Sequence, residues 1–337
     1  MGAGDMRTPG GLTALLLGAV LLGGCSTAVE PPATAPAAVS APSGFYVDPA
    51  SEAAAQVTRW EAEGRTDDAE LIRRISDQPF PLWATGDTEQ VRVEVADYVE
   101  RAEAADARPL LVAYNIPHRD CGSFSAGGAG DGDSYLEWVD LLADTIRDSD
   151  ATVVLEPDAV PHELSGCVDG ALRDERYELL GSAIDTLKDA GATVYLDAGN
   201  PGFISDVDAL AEALRRSGID RADGFSLNVA NFRSTEVNVE FGTELSERLD
   251  GARFVVDTSR NGAGAPPQGD IDGAPSFCNP PDRALGAAPT LDAGHPLVDA
   301  LLWVKRPGES DGACRAGEPE AGQWYPDYAL GLAERAS

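Results

Sequence analysis

Short runs of apolar residues recur along the chain and are separated by longer, mixed segments. Six of these runs are aliphatic, β-branched or aromatic at nearly every position, so neither face of the corresponding strand would be polar. This pattern is typical of strands that are buried on both faces of a parallel sheet. The runs are residues 109–114, 152–155, 193–196, 224–229, 254–256 and 300–304.

The segments between these runs have the pattern of amphipathic helices. In residues 134–147 the side chains of Leu136, Val139 and Leu142 fall on one side of a helix, and residues 176–190 and 207–216 behave similarly. Strands that alternate with helices in this way predict βα units. A β/α barrel is favoured over an open sheet, because at least six strands are present and no dinucleotide-binding glycine fingerprint occurs.

The first 44 residues differ from the rest of the chain. Residues 12–22 form an apolar segment about half as long as a bilayer-spanning helix, which predicts a signal peptide over residues 1–25. The segment runs into Gly23-Gly24-Cys25, which resembles the lipobox of bacterial lipoproteins and makes Cys25 a predicted lipidation site. The alternative is plain secretion with cleavage nearby. Residues 26–44 are rich in Ala and Pro and predict a tether, with residues 45–337 as the folded domain.

The charge balance narrows the classes of partner. The chain has 337 residues with 25 basic and 57 acidic side chains, giving a net charge of −32. So acidic a protein lacks the basic surface that nucleic acids require, whereas a neutral sugar is compatible with it. The three histidines are not spaced like metal ligands, and the sequence implies no metal and no cofactor. We therefore expect carboxylates to carry any chemistry.

Five cysteines are consistent with export. With Cys25 set aside, an even number remains, which predicts two disulfides in an exported protein. Four cysteines allow three pairings, and we favour the nearest-neighbour pairing because it closes two loops of medium length. Metal binding is the minor alternative, since no Cys-x-x-Cys motif occurs. The four are Cys121, Cys167, Cys278 and Cys314.

Polar and acidic residues follow each predicted strand. The second strand, for example, leads into Glu156-Pro157-Asp158. In a β/α barrel these strand ends meet on one face, which holds the active site. Crowded, partly desolvated carboxylates raise the pKa of at least one member, so that one can donate a proton while its neighbour stays ionised. That division of labour suits glycoside hydrolysis. A single Asp after a strand is also a common helix N-cap, and this reading of Asp158 stays open.

Six segments together resemble glycoside hydrolase family 6, whose members cut β-1,4-glucans with inversion. The resemblance extends over about residues 45–337 and implies a distorted β/α barrel of about seven parallel strands, with two disulfides in the nearest-neighbour pairing. It also implies that the partner is a polysaccharide. The segments are residues 113–121, 154–158, 195–199, 257–262, 278–281 and 303–312.

The resemblance implies roles for individual residues. Asp158 matches the general acid, and Asp120 matches the aspartate that raises the pKa of that acid and helps draw a proton from water. Asp311 matches the proposed base, and Tyr114 matches the tyrosine that crowds the sugar at the cleavage point. Asp197 matches a structural and electrostatic aspartate. The matched or expected sugar-binding residues are Trp83, Asn200, Phe203, Asn231, Phe277, Arg283, Lys305 and Glu309.

Several positions depart from the family pattern. Asn200 and Phe203 replace a histidine and a stacking tryptophan, and Phe277 stands where tryptophan often occurs. Ala126, with Ser125 beside it, occupies the place of the serine that holds the water. A phenylalanine can still stack on a sugar, but with a smaller face. The catalytic acids are therefore retained, while sugar binding is altered.

These observations predict an inverting, endo-acting β-1,4-glucanase. Endo action is expected because no long insertion could roof a tunnel and the loop of residues 127–133 is short. Two alternatives are the same machinery acting on another cell-wall glycan, and a glycan-binding surface lipoprotein that has lost catalysis. We expect a monomer that is exported, either as a cell-envelope lipoprotein or as a secreted protein, with a lipid anchor as its only membrane contact.

Overall fold

A computed structural model of the chain describes residue 1 and residues 43–168 and 170–336. The predicted signal peptide, Cys25 and nearly all of the predicted tether lie outside these residues. Within the described part, no helix is both long enough and apolar enough to cross a bilayer.

Within residues 43–168 and 170–336 nine strands are formed, and seven of them belong to one sheet. They are β1 (Leu82–Ala84), β2 (Leu110–Ala113), β3 (Thr152–Leu155), β4 (Thr193–Asp197), β5 (Gly224–Leu227), β6 (Arg253–Asp257), β7 (Asp270–Ile271), β8 (Ala274–Pro275) and β9 (Val298–Leu302). The two short strands β7 and β8 pair antiparallel as a separate hairpin. All six strands predicted from the apolar runs are present, so that prediction is confirmed.

The large sheet follows the order of the chain. Its strands lie in the order β1-β2-β3-β4-β5-β6-β9, and each pairs in parallel with the next. A helix or long segment connects consecutive strands, as the βα pattern predicts. The sheet curls into a distorted barrel, which confirms the predicted fold class.

The barrel has a seam between its first and last strands. Among the described residues β1 and β9 share no ladder of backbone hydrogen bonds. A side chain bridges the gap instead, because the indole Nε1 of Trp83 donates to the carbonyl oxygen of Val304 at 3.0 Å. Trp83, which was predicted to stack on sugar, therefore lies at the seam.

Helices cover the outside of the sheet. They are α1 (Glu52–Ala62), α2 (Thr66–Ser76), α3 (Thr88–Ala104), α4 (Gly132–Ile146), α5 (Ala159–Leu164), α6 (Gly170–Asp189), α7 (Val207–Arg216), α8 (Thr235–Arg248) and α9 (Pro326–Glu334), with 3-10 turns at Asp120–Gly122 and Ile219–Arg221. Several begin at a capping side chain; Asp206, for example, accepts a hydrogen bond from the Ala209 N–H at the start of α7.

Successive residues of β2 illustrate how the core divides. Leu111 and Ala113 pack towards the helices, in the large cluster that α3, α4, α6, α7 and α8 share with the sheet. Leu110 and Val112 point to the barrel interior, where they meet residues of the other strands and Tyr114. Both faces of the strand are buried, as its unbroken apolar run predicts.

Candidate active site

A cleft with a volume of about 1150 Å³ lies at the carboxyl ends of the strands. This is the end at which β/α barrels carry their active sites. Eleven of the predicted catalytic and sugar-binding residues line it. They are Trp83, Tyr114, Asp120, Asp158, Asn200, Phe203, Asn231, Phe277, Lys305, Glu309 and Asp311.

Asp158 lies in the turn between β3 and α5. It occupies the N-cap position of α5 with a left-handed φ of 67°, yet its carboxylate makes no capping hydrogen bond. Its backbone N–H donates instead to Oδ2 of Asp197 at 2.9 Å. The side chain is half-buried and faces the cleft. The alternative that Asp158 is only a helix cap therefore has no support in the structure.

Burial raises the pKa of Asp158 well above its ordinary value, and the nearby charges of Asp197 and Asp120 raise it further. Asp197 is fully buried, and burial also raises its pKa. Its anion, however, accepts hydrogen bonds from the Asp158 and Gly199 N–H groups and from the Ser226 hydroxyl. Because donors surround Asp197, the proton that the pair retains near neutral pH belongs on Asp158.

Asp120 stands on the neighbouring strand end, in the 3-10 turn after β2. Its Oδ2 accepts the Ser125 N–H at 2.6 Å. Burial raises the pKa of Asp120, while the Ser125 N–H and the Arg119 charge oppose the rise. Arg119 also donates to the Ser125 carbonyl oxygen at 2.8 Å, which fixes the loop beside the carboxylate.

Asp311 also lines the cleft and is tightly paired. Its Oδ2 accepts from Arg260 at 2.8 Å and from the Asn279 N–H at 3.0 Å, and Nζ of Lys305 is 3.6 Å from Oδ1. Burial alone would raise the pKa of Asp311, but the charges of Arg260 and Lys305 and the hydrogen bonds hold it below its ordinary value. Asp311 is therefore a stabilised anion and a weak proton acceptor.

Lys305 and Glu309 bring further charge to the cleft close to Asp311. Nζ of Lys305 donates to the Ser310 carbonyl oxygen at 3.1 Å, and burial lowers the pKa of the lysine. Glu309 pairs with Arg306 at 2.9 Å, and burial raises the pKa of its carboxyl. Both side chains are almost fully buried but reach the cleft surface, where they could bind sugar hydroxyls.

Tyr114 and Trp83 form the floor of the cleft. Their rings meet edge to face with centroids 5.3 Å apart, and the guanidinium of Arg119 lies over the tyrosine ring at 4.6 Å. Contacts on both sides fix the tyrosine ring. Burial raises the pKa of the Tyr114 hydroxyl, so this group stays neutral.

Four further predicted contacts line the cleft with polar and aromatic groups. Phe203 packs edge to face on His162 with centroids 5.5 Å apart, and Phe277 is 52% exposed. Asn200 is buried and its Oδ1 accepts the Gly202 N–H. Asn231 uses its Oδ1 to accept the N–H of the next residue. A sugar chain could contact all four, because each reaches the cleft surface.

Asp197 and Arg283 are not among the residues that line the cleft. The hydrogen bonds of Asp197 agree with the structural and electrostatic part that the family resemblance implies for it. Arg283 uses its guanidinium to donate to the carbonyl oxygens of Pro281 and Gly264, at 3.1 and 2.6 Å. Its predicted sugar contact therefore has no support from its position.

Two buried residues hold the site together and were not assigned from the sequence. Glu156 is fully buried, and its carboxylate accepts the N–H groups of Asn115 and Ile116 at 2.9 to 3.0 Å. It thus ties the turn before Asp158 to the segment before Asp120. Arg260 is fully buried and bridges Asp311 to the Ala230 carbonyl oxygen. The sequence did carry a signal for Glu156, because this residue stands in the same turn as Asp158.

Both disulfides flank the cleft. Cys121 bonds to Cys167 and Cys278 bonds to Cys314, which confirms the predicted pairing and is consistent with an oxidising compartment. These cysteines also approach His162 and Glu318, respectively, as three-residue groups. Disulfide sulfurs are not thiolates, so neither group fits a metal ion.

Comparisons with known proteins agree with this geometry. The family model described as glycosyl hydrolases family 6 matches residues 40–336. Endoglucanase A of Cellulomonas fimi is 42% identical over 296 residues, which are 87% of this chain and 62% of that protein. The chain thus spans less than two thirds of that relative. Endoglucanase 1 of Streptomyces halstedii is 38% identical over 316 residues, covering 90% of this chain and 92% of that protein.

A solved structure is similar over nearly the same length. The endoglucanase Cel6 from Mycobacterium tuberculosis, in complex with methyl-cellobiosyl-4-deoxy-4-thio-β-D-cellobioside, is 40% identical to this chain. The match covers 88% of this chain and 98% of that one, with a TM-score of 0.80. The match of the family model, these two relatives and this structure together confirm the resemblance found in the sequence. The chain belongs to family 6 of the glycosyl hydrolases.

Proposed function

We propose that this protein hydrolyses β-1,4-glucosidic bonds within glucan chains, with inversion and with Asp158 as the general acid. The observation that carries the proposal is the environment of Asp158. Its half-buried carboxyl lies in the cleft without a capping hydrogen bond, beside the ionised Asp197 and near Asp120. A carboxyl kept protonated there can protonate the departing glycosidic oxygen.

Asp120 is the better candidate to accept the proton of the attacking water. An inverting enzyme needs a second carboxylate about 6.5–9.5 Å from the acid, which leaves room for that water. Burial raises the pKa of Asp120, whereas Arg260 and Lys305 lower that of Asp311. A carboxylate with the higher pKa is the stronger base. Asp311 then acts as a fixed negative charge in the cleft.

The names of the relatives support the glucan substrate. Two of them are endoglucanases, and the similar solved structure is an endoglucanase in complex with a thio-linked cello-oligosaccharide. The acidic chain and the aromatic residues of the cleft suit a neutral sugar polymer.

The test compares Asp158→Asn with Asp206→Asn. Asp206 also precedes a helix, but it caps α7 and does not line the cleft. Asparagine caps a helix about as well as aspartate, so the control should keep full activity. On soluble β-1,4-glucan, assayed as new reducing ends, D158N should lose roughly 10²- to 10⁴-fold in kcat. Full activity of D158N on this substrate contradicts the proposal.

An aryl β-glycoside isolates the role of the acid. With a nitrophenyl group as the aglycone, the leaving group departs as the stable nitrophenolate without protonation, so D158N should lose much less activity on it than on the polymer. Proton NMR of the first product should show the α-anomer, as inversion requires. A β-anomer contradicts the inverting assignment.

A substrate panel separates the glucan proposal from cleavage of another cell-wall glycan. Phe203 and Phe277 line the cleft at positions where the family carries larger aromatic residues. This difference in the sugar-binding surface is the reason to test cleavage of another cell-wall glycan as a second candidate. We expect turnover on β-1,4-glucans and little on xylans or other wall polysaccharides. Turnover confined to a non-glucan polymer, with the same loss in D158N, favours the second candidate.

We further propose that residues 1–25 are a signal peptide, that Cys25 is lipidated and that residues 26–44 tether the domain of residues 45–337 as a monomer. The sequence Gly23-Gly24-Cys25 directly after the apolar segment supports this. Mass spectrometry of the mature protein from membranes should find a lipid-modified Cys25 at its amino terminus. An unmodified mature protein in the medium contradicts the anchor.

A further inference from the structure

Two aromatic side chains are exposed among the described residues, and both lie in the cleft. Phe124 is 42% exposed and Phe277 is 52% exposed. Both line the cleft, whereas exposed aliphatic residues such as Val237 lie elsewhere. An exposed aromatic ring that projects into a concave site is a candidate ligand contact. Phe277 was expected from the sequence to bind sugar, but no role was assigned to Phe124.

The loop that carries Phe124 is fixed on both sides of the ring. The Ser125 N–H donates to Asp120, and Arg119 donates to the Ser125 carbonyl oxygen. The backbone of Arg119 also pairs with that of Gly127, which closes the base of the loop. These bonds hold the Phe124 ring at the cleft surface, so the ring is in place before a ligand arrives.

The side chain of Phe124 packs against the segment that follows Asp311. A Cβ atom placed on Gly312 would lie 2.8 Å from Cδ1 and Cγ of Phe124 and 2.9 Å from its Cβ, so the base of this side chain and the adjoining part of its ring pack directly on the glycine backbone. Gly312 has a φ of 150° and follows Asp311. Phe124, which belongs to the loop that follows Asp120, therefore contacts the segment that carries Asp311.

We infer that Phe124 is a specificity-determining sugar contact that covers the apolar face of the glucose unit bound beside the loop of Asp120 and the segment that carries Asp311. A pyranose ring in the β-configuration presents C–H groups on its faces, and an aromatic face packs well against them. The inference rests on the proposed function, because it takes a β-glucan as the ligand. The ring packs on the backbone of Gly312, and any side chain at position 312 would displace the ring.

Kinetics of five variants on a soluble β-1,4-glucan and on a short cello-oligosaccharide test the inference. Phe124→Ala removes the ring, and Gly312→Ala displaces it. The double variant shows whether both act through the same contact. Val237→Ala is the matched control, because Val237 is 44% exposed on α8 and does not line the cleft. Thermal melting of each variant confirms folding.

Phe124→Ala should raise KM by about tenfold and leave kcat within about twofold, since the contact binds ground state and transition state alike. Phe124→Trp should restore KM. Gly312→Ala should also raise KM, but it should add little in the F124A background. The backbone strain of alanine at this φ is present in both backgrounds, so the comparison isolates the ring.

Unchanged KM in F124A on both substrates overturns the inference, as does a G312A effect of equal size with and without the ring. Neither result contradicts the proposed function as long as D158N is inactive. Full activity of D158N overturns the proposed function, and the inference falls with it.

Discussion

The disulfide between Cys121 and Cys167 should control the pKa of the acid as well as the stability of the domain. It joins the turn of Asp120 to the segment that follows α5, and α5 begins directly after Asp158. The bond thus holds two candidate catalytic carboxyls near each other. Cys121→Ser combined with Cys167→Ser cuts this connection without replacing either acid, so that the turn of Asp120 can move away from Asp158.

The expected loss of stability follows from the size of the loop. The two cysteines are 46 residues apart. The loss of chain entropy in the unfolded state then contributes about 4 kcal/mol at 25 °C. Urea denaturation followed by circular dichroism should show this decrease in the free energy of unfolding.

The effect on activity follows from the charge of Asp120, which helps to raise the pKa of Asp158. A general acid works only while protonated, so kcat/KM falls as the pH rises through this raised pKa. When Asp120 moves away, the pKa of Asp158 falls. The alkaline limb of the pH profile should therefore move to lower pH, by up to about one unit.

The second disulfide provides a matched control. Cys278 and Cys314 are 36 residues apart, so their removal should also cost about 4 kcal/mol. This bond lies beside Asn279, which binds Asp311, and not beside Asp120. Its loss should leave the alkaline limb in place. The prediction is refuted when the alkaline limb of the pH profile stays in place after loss of the Cys121–Cys167 bond. It is also refuted when loss of either disulfide shifts this limb equally.

Two further changes address the buried residues that hold the site. Glu156→Gln should lower the free energy of unfolding by about 1–3 kcal/mol at pH 5, because a carboxamide cannot satisfy the N–H groups of Asn115 and Ile116 equally well. Burial raises the pKa of Glu156 from 4.5 to about 7, so the stability gained from its protonation is complete below pH 4.5 and is lost as the pH rises through 7. The difference between wild type and E156Q should shrink over that range in urea titrations, and a constant difference contradicts this. Arg260→Met should cost about 3–5 kcal/mol by leaving Asp311 less well paired, measured in the same way, and a loss below 1 kcal/mol contradicts the buried ion pair.

The fold could largely be predicted from the sequence, because its strands are buried on both faces. Residues 152–155 form β3 with the predicted bounds, and residues 207–216 form α7 as predicted. The strand β1 was missed by the pattern of apolar runs. It has only three residues, two of which are half-buried, so it lacks the unbroken apolar run that marks the others.

The site could be predicted where chemistry follows strand ends, and less well where it depends on distant partners. Asp158 and Asp120 stand out as acids after strands. Arg260 does not, because its partner Asp311 is 51 residues further along the chain and only the folded barrel brings them together. Arg283 shows the reverse case, since its guanidinium turns to nearby carbonyl groups that the sequence does not reveal.

The seam between β1 and β9 gives this barrel a freedom that a closed one lacks. In a closed barrel every strand has two hydrogen-bonded neighbours, so a shift in the register of one strand disturbs two ladders and alters the diameter of the whole ring. Among the strands of the described residues β1 pairs with β2 alone, and Trp83 reaches Val304 through a side-chain hydrogen bond. Substitutions or insertions at this edge can therefore widen or narrow the cleft while the remaining strands, and the acids they carry, keep their places.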